Sequence, residues 1–106
     1  LMDAVTAISG SGPAYFFYMI EAMVESAKGL GLDEKTAREL VGKTALGSVK
    51  LLLSSKEDPA SLRKKVTSKG GTTEAALKVF EAKKFISIMK AATKAACKRS
   101  GELSKG

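Results

Sequence analysis

The first long helix of this chain has no wet side. From Ala14 to Leu30 nothing interrupts a helix, and Ala14-Tyr15-Phe16-Phe17-Tyr18-Met19-Ile20 is apolar or aromatic all round. Glu21, Glu25 and Lys28 are its only charges. A helix that is apolar on every face must be covered on every face. Two arrangements do this: a central position in a monomer core, or a second chain over the side left open. Four of the six aromatic residues fall in one turn, Tyr15 to Tyr18. One turn cannot aim four rings at one small core, so some of them are expected to face a partner.

The rest of the chain reads as further helices. Gly10-Ser11-Gly12-Pro13 starts the first, with Ser11 or Gly12 as N-cap and Pro13 at the first helical position. Gly29 and Gly31 end it. Asp33 caps a second helix to about Ser54, with Glu34 favouring its positive end. Asp58-Pro59 starts a short third over about 59–66. Ser68-Lys69-Gly70-Gly71 is a loop. Thr72-Thr73-Glu74 opens a fourth helix to about Ala82, Lys83-Lys84 makes a bend, and a last helix runs to about Ser100. Residues 101–106 are expected to fray. No run of alternating β-branched residues bounded by turns is present, so the fold class is all-α with about five helices. On the last helix Phe85, Ile88, Met89, Ala92, Ala95 and Ala96 follow helical spacing, with Lys90, Lys94 and Lys98 down the other side.

Composition excludes several chemistries. The 106 residues contain no histidine, which removes Ser–His and Cys–His catalysis and any His-based metal site. The one cysteine, Cys97, has no internal partner and reads as a small buried apolar residue in a reducing compartment. No apolar run is long enough to span a membrane, and no signal peptide is visible. Leu1 opens the chain instead of Met. That is expected of a piece cut from a longer protein, or of a processed or engineered N-terminus.

The formal net charge is +7, and residues 83–99 hold six Lys or Arg and no acid. This raises an alternative function, a basic helical module binding nucleic acid or another acidic partner. Against it, the other basic residues are scattered among acids, and no aromatic residues are interleaved with them as stacking on single strands requires. Ser9-Gly10-Ser11-Gly12-Pro13 is glycine-rich but lacks the Lys-Ser/Thr of a phosphate loop.

Val66-Thr67-Ser68-Lys69-Gly70-Gly71-Thr72-Thr73-Glu74 carries more chemistry. Two glycines directly before a helix let backbone N–H groups approach a ligand without Cβ obstruction. The helix start favours an anion, and Thr67, Ser68, Thr72 and Thr73 add hydroxyls. A small carboxylate site fits these residues. So does a plain capped loop with Thr72 or Thr73 as N-cap.

Asp3-Ala4-Val5-Thr6-Ala7-Ile8-Ser9-Gly10-Ser11-Gly12-Pro13-Ala14-Tyr15, followed by Val66-Thr67-Ser68-Lys69-Gly70-Gly71-Thr72-Thr73, closely resembles the C-terminal domain of pyrroline-5-carboxylate reductases. The resemblance spans about residues 3–100. It implies an intertwined helical dimerisation domain of the 6-phosphogluconate dehydrogenase C-terminal kind. It implies reduction of 1-pyrroline-5-carboxylate to L-proline with NADPH or NADH, in the cytoplasm, by a homodimer or larger ring. The dinucleotide would be held mainly by an N-terminal Rossmann domain that residues 1–106 do not contain. By motif, Ser68, Gly70, Gly71, Thr72 and Thr73 would bind substrate: the glycine N–H groups at the carboxylate, Ser68 lining the pocket, and Thr73 as the catalytic contact to the ring nitrogen. No metal, nucleic acid or membrane enters this reading. Two positions depart from the family. Lys69 stands where relatives commonly have proline, and is expected to be solvated. Lys56, with Glu57 one place later, stands where they often have an acid, so an acid near the substrate amine is not carried over.

Overall fold

The computed structural model describes residues 1–105, and among them every regular element is helical. They form α1 (Met2–Val5), α2 (Gly12–Gly29), α3 (Glu34–Ser54), α4 (Pro59–Lys65), α5 (Thr72–Ala82) and α6 (Phe85–Lys105), with a π-helical turn (Thr6–Gly10) following α1. The five helices expected from sequence are α2 to α6. Contacts divide the chain into two compact units: Tyr15–Val66, and Leu1–Ala14 with the chain from Thr67 on.

In the first unit the boundaries follow local chemistry. Gly31 takes φ +105, open to glycine at little cost. Its N–H donates to the Lys28 carbonyl at 3.0 Å and that of Leu32 to the Ala27 carbonyl at 3.1 Å, so the last turn of α2 closes in a Schellman motif. Asp33 caps α3 and Asp58 caps α4, with Pro59 at the first turn. The packed centre is small. Val24, Ala37 and Val41 are buried, with Ile20 and Ala27 against them. The rings of α2 are not a monomer core: Phe16, Phe17 and Tyr18 are 65%, 70% and 75% exposed.

In the second unit α1 and the π-helical turn lie on α6. Ala7 is buried in that unit, and Ser100 Oγ donates to Asp3 Oδ1 at 2.9 Å. The bend between α5 and α6 falls at the two lysines, as expected. Lys84 adopts φ +57, and Phe80 and Phe85 meet edge to face with ring centres 5.4 Å apart. Residues 101–105 do not fray as expected: they are the end of α6, tied by Asp3 to Ser100 and by Ser104 Oγ to the Gly101 carbonyl. Gly106 lies outside the described residues.

Buried apolar side chains number four among the described residues: Ala7, Val24, Ala37 and Val41. None of them is large. Two valines and two alanines cannot offset the entropy of ordering a chain of this length. Leu40, Leu46, Leu51, Leu53, Ile86 and Ile88 are each half or more exposed.

Candidate functional site

Three helices in this chain start from a loop, and they do so in two ways. At α3, Asp33 Oδ1 accepts the Thr36 N–H at 2.8 Å. At α4, Asp58 Oδ1 accepts the Ser61 N–H at 2.8 Å. These bonds hold both carboxyls below the usual carboxylate range, the backbone N–H of Thr36 and of Ser61 being the largest cause in each case. Both starts are sealed by an anion that the sequence itself supplies.

α5 is not sealed. Its N-cap is Gly71, with no side chain to accept, so neither Thr72 nor Thr73 caps it. The first bond of the helix runs from the Ala75 N–H to the Gly71 carbonyl at 3.2 Å. The N–H groups of Thr72, Thr73 and Glu74 therefore have no acceptor among the described residues. The hydroxyls of Ser68, Thr72 and Thr73 are likewise unspent there. Some hydroxyls elsewhere bond to their own helices: Ser9 to Val5, Ser26 to Ala22, Thr93 to Met89. Thr73 is half-buried, while Ser68 and Thr72 are exposed.

The loop before α5 is a tight turn. The Gly71 N–H donates to the Ser68 carbonyl at 3.0 Å, and Gly70, third in the turn, has φ +74. A Cβ on Gly71 would stand 3.2 Å from the Ser68 carbonyl oxygen. Each glycine thus has its own reason to be glycine, one of torsion and one of space. The Gly70 N–H donates to Glu74 Oε1 at 3.1 Å. Both glycine N–H groups are therefore engaged within the chain, and the open donors lie one to three residues further on. Ser68, Gly70, Gly71, Thr72 and Thr73 do share one helix tip. Sequence reading missed the tie from Glu74. Its signal was the spacing of a capping box, with the acid three residues after the N-cap.

Lys69 is exposed and forms no ion pair among the described residues. Glu57 is taken by Lys65, at 2.6 Å. Cys97 is a free, half-buried thiol. No group of three His, Cys, Asp or Glu among the described residues could hold a metal ion, and no helix there is long and apolar enough to cross a membrane. A shallow depression on α3 is lined by Glu34, Lys35, Arg38 and Glu39, none of which the motifs single out.

An unsealed helix tip following a Ser-x-Gly-Gly turn can be set beside known proteins. The family model for pyrroline-5-carboxylate reductase dimerisation matches residues 1–103. The pyrroline-5-carboxylate reductase of Pseudomonas aeruginosa is 52% identical over 102 residues, covering 96% of this chain and 37% of that protein. The Haemophilus influenzae enzyme is 50% identical over 103 residues, with 96% and 38% covered. Among solved structures, a pyrroline-5-carboxylate reductase from Coxiella burnetii superposes with a TM-score of 0.92 at 42% identity, over 95% of this chain and 37% of that one. The Plasmodium falciparum pyrroline carboxylate reductase with NADP bound gives 0.91 at 35% identity, over 93% and 38%. The chain spans little more than a third of the length of these relatives. Over that third the family match, the sequence identity and the fold agree, and the chain belongs to the pyrroline-5-carboxylate reductase dimerisation family.

Proposed function

We propose that this chain is the dimerisation and substrate-binding part of a pyrroline-5-carboxylate reductase, an enzyme that reduces 1-pyrroline-5-carboxylate to L-proline with NADPH or NADH. The observation that carries the reading is the open start of α5: three unpaired N–H groups and three unspent hydroxyls at a tip that glycines leave free of Cβ atoms. A helix start of this kind favours an anion. The substrate offers a carboxylate and, on the same ring, an imine.

The carboxylate docks on the N–H groups of Thr72 and Thr73, with the hydroxyls of Ser68 and Thr72 at its edge. Gly70 and Gly71 open the approach. Their own N–H groups turn to the ligand only by giving up Glu74 and the Ser68 carbonyl. The Thr73 hydroxyl donates to the ring nitrogen and draws electron density from the C=N carbon, which makes that carbon the electrophile. Holding the ring by its acid and its nitrogen together fixes which face is presented.

The hydride comes from the reduced nicotinamide. The described residues contain no strand and no glycine-rich strand-to-helix turn, so nothing among them fits the dinucleotide pyrophosphate. We assign that site to a Rossmann domain of the reductase outside these residues. A second copy of the chain covers the exposed rings of α2, giving a homodimer or a larger ring of dimers. A cytoplasmic location goes with this reading and with the single cysteine.

The test is reduction of 1-pyrroline-5-carboxylate, followed by NADPH absorbance, with the full polypeptide that carries this segment and with the 106 residues alone. Turnover by the first and none by the second is expected; a full polypeptide that does not reduce the imine overturns the reading. Sedimentation is expected to give a dimer or larger species, and a clean monomer at micromolar concentration removes the interface.

A further inference from the structure

The turn that presents the open tip has few restraints of its own. Ser68 to Gly71 is closed by one backbone hydrogen bond, 3.0 Å from the Gly71 N–H to the Ser68 carbonyl. Two of its four residues are glycine, the residue with the most backbone freedom to lose. Its second position, where a proline ring would fix φ, is Lys69, whose side chain pairs with nothing among the described residues. A second restraint comes from outside the turn. Glu74, half-buried at the third position of α5, accepts the Gly70 N–H on Oε1 at 3.1 Å. Lys78, one turn further on, stands 3.7 Å from the same oxygen.

We propose that Glu74 is the positioning residue of this loop: by accepting the Gly70 N–H it ties the turn to the first turn of α5, and so sets where Ser68 and the glycine turn stand beside a substrate held on Thr72 and Thr73. The inference rests on the reading of the site given above. Glu74 touches neither the carboxylate nor the imine. It acts by reducing the conformations the loop must give up when the ligand binds, which changes affinity more than the chemical step. What the role needs is an acceptor oxygen at the right reach. Charge is secondary, and a negative charge near an anion site would by itself weaken binding.

The test uses the full reductase carrying this segment, with KM for 1-pyrroline-5-carboxylate and kcat measured separately. Glu74→Ala removes the acceptor. Glu74→Asp keeps the charge and the helix-start preference but falls one methylene short of Gly70. Both are expected to raise KM about ten-fold with kcat within about two-fold. Glu74→Gln keeps an oxygen acceptor at the same reach and is expected to recover most of the loss. Adding Lys69→Pro to Glu74→Asp stiffens the turn by another route, and is expected to lower KM again. A Glu74→Asp variant with unchanged KM overturns the role, and so does a KM that falls in Glu74→Ala, where the acceptor is removed. Gln no better than Asp, or no recovery with Lys69→Pro, also counts against it. Wild-type enzyme that does not turn over 1-pyrroline-5-carboxylate overturns the site reading itself; wild-type turnover with indifferent variants overturns only Glu74.

Discussion

The starts of α3 and α5 pose the same physical problem and solve it in opposite ways. Each helix begins with N–H groups that have no partner in the helix and a dipole that favours negative charge. At α3 the chain supplies the anion itself: Asp33 sits at the cap, accepts the Thr36 N–H at 2.8 Å, and is held ionised by that bond. At α5 the cap is Gly71, and nothing among the described residues accepts the N–H groups of Thr72 and Thr73. The first arrangement contributes stability and puts a carboxylate of the chain where an anionic ligand would have to sit. The second leaves stability unclaimed and keeps the capacity for a ligand. The nearest acid, Glu74, does not reverse this, because it reaches back to Gly70 and leaves the tip open.

The comparison is most sharply tested at Thr73. Its hydroxyl is unspent and half-buried, and alanine is at least as good a helix former, so Thr73→Ala is expected to fold normally. In the full reductase it is expected to lower kcat/KM about 100-fold, the scale of losing one donor aimed at a reacting centre. Wild-type kinetics in that variant would end its assignment. A smaller effect is expected from making α5 resemble α3. Gly71→Asp puts a capping carboxylate at the place proposed for the substrate acid, and is expected to raise KM for 1-pyrroline-5-carboxylate about ten-fold or more. Gly71→Ala separates space from charge. Its Cβ meets the Ser68 carbonyl oxygen at 3.2 Å, a contact that a shift of a few tenths of an ångström relieves, so a weaker rise is expected. Equal effects of Ala and Asp would mean that sealing is not what matters. The reverse exchange, Asp33→Gly, opens α3 and is expected to lower the thermal midpoint while KM stays within about two-fold.

The same contrast explains what could be read from sequence. Asp33, Asp58-Pro59 and Gly31 each act on neighbours a few residues away, so local rules locate the ends of α2, α3 and α4. The Lys83-Lys84 bend is local as well. The apolar girth of α2 also needs no partner to be legible: a helix whose Phe16, Phe17 and Tyr18 are 65–75% exposed in one chain advertises its lack of cover. What stayed hidden depends on distant residues. Met2–Val5 and the π-helical turn after it have no strong start signal; they form against α6, and the bond from Ser100 to Asp3 joins positions 97 apart. Gly101 reads as a helix stop, yet α6 passes through it. A Cβ there would stand 3.2 Å from Asp3 Oδ2, so glycine is tolerated mid-helix because the N-terminal segment lies close. In the loop, the motif put Ser68 to Thr73 together at the start of a helix, and they do lie there. The direction of each N–H was not legible, since the Gly71 donor closes the turn on Ser68 and the Gly70 donor goes to Glu74.

The smallest expected effect is on acid stability, and its sign follows from the sealed helices. Asp33 and Asp58 titrate below the usual carboxylate range because each accepts a backbone N–H when ionised, that of Thr36 and of Ser61. A carboxyl whose pKa is lower folded than unfolded stabilises the fold fully above its unfolded pKa. That contribution drains away as pH falls through the folded value. Both groups are exposed, so the effect is modest and screened by salt. The thermal midpoint is therefore expected to decline between about pH 5 and about pH 3. Asn caps a helix about as well as Asp but does not titrate. Replacing both residues, Asp33→Asn with Asp58→Asn, is expected to flatten that acid limb and change the midpoint little at neutral pH. Gly71→Ala, at a helix start with no capping carboxylate, is expected to leave the limb as it was. Midpoints measured across this range in the three proteins decide the matter. A limb equally steep in all three would place the acid sensitivity outside the caps and remove the electrostatic half of the contrast between α3 and α5.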